Sequence, residues 1–69
     1  MNVQLLVTMA NDISNFFASD PDKDAAVDQV ANHLKKFWEP RMREAIRRHV
    51  SAGGEGMSSL AIQAVKRLA

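Results

Sequence analysis

Two prolines and a double glycine cut this 69-residue chain into four stretches, each the length of a short helix. Proline has no N–H to donate and is tolerated in the first turn of a helix but not in its interior, so Pro21 and Pro40 mark helix starts. Gly53-Gly54 supplies the left-handed backbone on which helices commonly end. Between these marks apolar residues recur three and four apart, and no stretch sustains strand-type alternation. The expected fold is all-α: a small compact bundle of about four short helices, forming one domain over residues 1–69, with helices near 3–18, 21–38, 40–51 and 58–68.

Spacing also assigns a buried face to each helix. In the first, Leu6, Met9, Ile13, Phe16 and Phe17 fall on one side. In the second, Asp20 is expected as N-cap, with Pro21 at the first helical position and Asp22 and Asp24 in the dipole-favoured first turn. Val27, Val30, Ala31, Leu34 and Trp38 form its apolar stripe. Pro40 biases Glu39 away from helical angles and forces a corner after Trp38. The third helix turns Met42, Ala45, Ile46, His49 and Val50 inward. Ser58 caps the fourth, which carries Leu60, Ala61, Ala64, Val65 and Leu68, with Lys66 and Arg67 at the end where the helix dipole favours cations. The expected core is Leu6, Met9, Ile13, Phe16, Val27, Val30, Leu34, Trp38, Met42, Ile46, Val65 and Leu68.

A core from so short a chain rarely supplies more than ~3–5 kcal/mol of net stability, so small proteins usually add a staple. With no cysteine, disulfides and thiolate metal sites are excluded, which leaves a protein partner or self-association. Apolar residues at 46% and charged ones at 25% describe a globular domain and not a disordered tail. The N-terminal run lacks a basic leader, and no segment approaches the roughly 18–20 apolar residues that span a bilayer. The expected compartment is the cytoplasm. Charge is polarised: residues 1–34 hold five aspartates against Lys23, net −4, and residues 35–69 hold eight Lys/Arg against three glutamates, net +5. Such a field steers association with charged partners.

Catalytic chemistry finds little to work with. There is no cysteine, and the serines are placed where caps, turns or solvent account for them. His33 and His49 lie sixteen residues apart, without the short spacing of a zinc motif. No catalytic, cofactor-binding or metal-ligating residue is expected. His33 reads either as a hydrogen-bonding residue at the core edge or as a partner contact. The basic run Lys35, Lys36, Arg41, Arg43, Arg47 and Arg48 admits an alternative function, a small helical nucleic-acid-binding module using the third helix. Against it, Glu44 stands one helical turn from Arg41, Arg47 and Arg48, so an ion-pair network on a solvated face accounts for most of the charge. At Phe37-Trp38-Glu39-Pro40-Arg41, Trp38 is expected to seal the corner, its indole N–H capping a freed carbonyl. Trp and Arg also dominate interface hot spots. The candidate partner-binding residues are therefore Trp38, Arg41 and Arg43, with His33 beside them.

Met9-Ala10-Asn11-Asp12-Ile13 with Phe16-Phe17, then Val30-Ala31-Asn32-His33-Leu34, Phe37-Trp38-Glu39-Pro40-Arg41-Met42-Arg43 and Gly56-Met57-Ser58 resemble the delta subunit of NAD-dependent formate dehydrogenases. Ser59 stands where such relatives often have proline. The resemblance implies a non-catalytic accessory subunit of a soluble multi-subunit enzyme that oxidises formate and passes electrons to NAD, acting in assembly, cofactor loading or stability. It implies that the molybdenum or tungsten pterin, the iron–sulfur clusters and the flavin belong to partner subunits. The implied partners are the catalytic and other formate dehydrogenase subunits or their maturation factors, with self-association open to the isolated chain.

Overall fold

The computed structural model describes residues 2–68. They form α1 (Val3–Phe17), α2 (Lys23–Phe37), α3 (Pro40–Ser51) and α4 (Ser59–Lys66), with no strand among the described residues.

Local chemistry sets most of the ends. The Asn2 side chain accepts from the N–H groups of Gln4 and Leu5 and so caps α1. α2 starts two residues later than the sequence suggests. Asp22, not Asp20, is its N-cap, accepting from the Ala25 N–H at 3.2 Å, and Pro21 lies outside the helix. Asp20 instead accepts from the Asp22 N–H at 2.9 Å, an Asx turn that fixes the approach to the cap. At the other end of α2, Trp38 and Glu39 are both extended, as the residue before a proline favours, and Pro40 opens α3.

α3 closes through a Schellman motif. The Gly54 N–H reaches the His49 carbonyl at 2.9 Å and the Gly53 N–H the Val50 carbonyl at 3.0 Å, with Gly53 at φ +123°. Gly54 is doubly constrained: its φ is +66°, and a Cβ there would lie 3.0 Å from Ile62 Cδ1. Ser58 caps α4, its hydroxyl accepting from the Ala61 N–H at 3.1 Å.

α1 and α4 each pack against all three other helices, while α2 and α3 have their principal contacts with α1 and α4. The shared core joins Leu6, Val7 and Ala10 of α1, Val27, Val30, Ala31 and Leu34 of α2, Trp38, Ile46 of α3, and Ala61, Ala64, Val65 and Leu68. α1 is rotated within it relative to the expected orientation. Its buried positions are Leu6, Val7, Ala10 and Ser14; Met9 and Ile13 are half-buried, as is Met42 on α3, and Phe16 is 78% exposed. At about 100° per residue, the buried face lies roughly a quarter turn from the one that the large apolar side chains outline. Small residues account for the shift: Ala10 and Ser14 let the neighbouring helices approach closely. Ser14 is the buried polar residue of the core, satisfied by donating to the Ala10 carbonyl at 2.8 Å, and is neither a cap nor a solvated serine.

Arg67 fastens the last helix to the second. Its guanidinium donates to Asp24 at 2.9 Å and to Asp28 at 2.5 Å, joining the basic C-terminal part of the chain to its acidic N-terminal part. The hydrogen bond that Arg67 donates to Asp24, then the one to Asp28, raises the Arg67 pKa further above its ordinary value.

Candidate protein-docking site

The corner between α2 and α3 is built for closure. Trp38 is 5% exposed and belongs to the core, and its N–H completes α2 by donating to the Leu34 carbonyl at 3.0 Å. The carbonyls left over at the end of α2 are taken by Arg43, whose Nη1 donates to the Trp38 carbonyl and, at 3.4 Å, to that of Lys35. The cap expected from the Trp38 indole is thus supplied by a guanidinium reaching back from the first turn of α3. Trp38 is thus packed into the core, and capping occupies part of Arg43. Arg41 remains exposed on the outer side of the corner, and among the described residues it makes no ion pair.

The ion-pair network expected around Glu44 contracts to one long contact, Arg48 Nε at 3.9 Å. Arg43 is turned to the α2 carbonyls and Arg67 is held by two aspartates, which draws two cations away from any phosphate-binding surface.

A different surface stands open. Phe16 and Phe17 at the end of α1 meet edge to face with centroids 5.1 Å apart, Phe17 lies 6.4 Å from the His33 ring, and His33 packs at 4.7 Å against Phe37, one turn further along α2. The outer members of this row, Phe16 and Phe37, are 78% and 68% exposed. Between the two helices runs a shallow, almost wholly apolar groove of about 340 Å³, lined by Asp12, Ile13, Phe16, Phe17 and His33. His33 therefore sits within the patch; among the described residues its ring makes aromatic contacts and no hydrogen bond. Of the four residues singled out in the sequence, His33 alone joins this row; Trp38 and Arg43 hold the corner, and Arg41 projects from it. Phe16 was missed because its place in an apolar repeat reads as core, and Phe37 because its neighbour Trp38 draws the architectural role.

A second set of contacts ties the loop before α4 to the helices. Asn11 Nδ2 donates to the Gly56 carbonyl at 2.9 Å, and its Oδ1 accepts from the Ser58 N–H at the same distance. One amide thereby clamps the loop before α4 onto α1. His49 Nε2 donates to the Glu55 carbonyl at 2.8 Å and ties the same loop to α3. Neither histidine joins a group of three or more potential ligands, and no such group occurs among the described residues. No helix of the described residues is long and apolar enough to cross a membrane.

Fold and surface together define a class: a small all-helical domain whose polar residues serve caps and clamps and whose distinctive exterior is aromatic. The chain belongs to the family of the NADH-dependant formate dehydrogenase delta subunit FdsD, whose family model matches residues 5–65. That span takes in every segment that carries the resemblance in the sequence. Among curated proteins and among solved structures, none matches the chain.

Proposed function

We propose that this chain is a non-catalytic accessory subunit of a soluble, NAD-dependent, molybdenum- or tungsten-containing formate dehydrogenase, acting in holoenzyme assembly, cofactor loading or stability by docking onto the larger subunits or their maturation factors in the cytoplasm. In this reading the metal pterin, iron–sulfur clusters and flavin reside in the partner subunits. The observation that carries it is the exposed row Phe16–Phe17–His33–Phe37. Large aromatics held on rigid helices and left open to water are what an interface core requires and what a free monomer of this size has reason to hide. Arg41, at the rim of the neighbouring corner, offers a planar guanidinium for a carboxylate of the partner. Trp38 and Arg43 contribute by fixing the corner that presents it.

Co-expression of a tagged chain with the formate dehydrogenase subunits tests the reading. The expected result is co-purification, with lower yield of active holoenzyme when the chain is omitted. The chain alone should carry no metal or flavin and show no formate-dependent NAD reduction. Turnover by the isolated chain, or failure to co-purify together with full holoenzyme activity in its absence, would contradict it.

A further inference from the structure

Phe16 belongs to two surfaces. Besides closing the aromatic row, it ends a seam along the outer side of α1 formed by Leu5, Met9, Asp12 and Phe16. Their spacings of four, three and four are those of a helix that packs lengthwise on another helix. Leu5 is 58% and Phe16 78% exposed and Asp12 is exposed, while Met9 is half-buried against the edge of the core, so most of this seam stands open to solvent. Asp12 is its one charged member, is among the residues bordering the groove, and makes no ion pair among the described residues.

We infer that this seam seats an amphipathic helix of a formate dehydrogenase partner subunit, and that the helix carries an Arg or Lys opposite Asp12. This deepens the accessory-subunit reading and rests on it. Charge selects the occupant. A second copy packed antiparallel over the same four residues would set Asp12 against Met9, and one packed parallel would set Asp12 against Asp12. Either arrangement desolvates a carboxylate without a counterion, which is the costly way to bury a charge. A cation on a different helix removes that penalty, and a single charged position within an apolar seam fixes the register of the pairing. The apolar groove continuing to Phe17 and His33 receives the side chains along one edge of the incoming helix.

The test places p-benzoylphenylalanine at position 5 or 16 of the full chain, co-expressed with the formate dehydrogenase subunits, and measures capture by Asp12→Lys and Asp12→Asn variants. Photo-adducts should map to a helical segment of another subunit with Arg or Lys within one turn of the linked residue. Asp12→Lys should weaken capture by about thirtyfold or more, the scale of a broken desolvated ion pair, and Asp12→Asn by less. Both variants should melt with the parent chain, because Asp12 is exposed and its side chain makes no hydrogen bond or ion pair among the described residues. Undiminished capture of Asp12→Lys, adducts to a second copy of this chain, adducts to a segment without a basic residue, or a complex that gives no adduct would each overturn the helix assignment. If the parent chain itself fails to co-purify, the accessory-subunit reading fails first, so the two failures are distinguishable.

Discussion

The Trp38–Arg43 corner and the Phe16–Phe37 patch carry similar residue types and do opposite things. At the corner the aromatic is buried and the arginine spends hydrogen bonds on the carbonyls of its own chain. At the patch two phenylalanines are open to solvent and, among the described residues, the His33 ring makes aromatic contacts and no hydrogen bond. The difference lies in where the backbone needs help. A chain that turns between two helices frees carbonyl groups, and whichever long donor is near enough is recruited to them. The phenylalanines of the patch also lie in last helical turns, but their side chains carry no donor to offer a carbonyl, so they stay open to solvent.

The largest expected effect separates core from patch. Leu34, fully buried in α2, should lose about 2–5 kcal/mol when truncated to Ala, enough to unfold much of so small a domain. Phe16→Ala should change stability by no more than about 0.5 kcal/mol. Denaturant melts followed by circular dichroism separate the two, and equal losses would erase the distinction between the surfaces.

Between the two arginines the gap is narrower. Arg43→Ala abandons two carbonyls at the end of α2 and should cost about 1 kcal/mol, with Arg43→Lys restoring part of it, because one nitrogen, Nη1, serves both carbonyls and an ammonium also carries more than one donor. Arg41→Ala should lie within about 0.5 kcal/mol of the parent. A thermal melt that ranks Arg41 above Arg43 would reverse the roles assigned to the corner.

What the sequence discloses follows the range of the interaction. Ser58 at the start of α4, Pro40 at the start of α3 and Gly53-Gly54 after α3 act on residues within a few positions, and the helices begin or end there as expected. The start of α2 slips from Asp20 to Asp22 because both aspartates can cap and only the Asx turn decides between them. The rotation of α1 is less accessible. Hydropathy points to Met9, Ile13 and Phe16, whereas close packing selects Ala10 and Ser14, a preference that exists only once other helices are present. Asn11 and Ser58 lie 47 residues apart, and no local pattern announces that one amide will bind both sides of that loop. The candidate surface was legible at His33 and hidden at Phe16, since an apolar residue in register with a core stripe has the same sequence signature whether it faces in or out.

The contrast between the two surfaces rests most directly on a double variant, Phe16→Ser with Phe37→Ser, assayed for melting temperature and for capture by the co-expressed formate dehydrogenase subunits. Removing two exposed aromatics from an interface should weaken capture by tenfold or more, on the order of 2 kcal/mol or above, while the melting temperature stays within a few degrees of the parent. A variant that melts like the parent and is captured with unchanged affinity would show that the aromatic row is not the docking face.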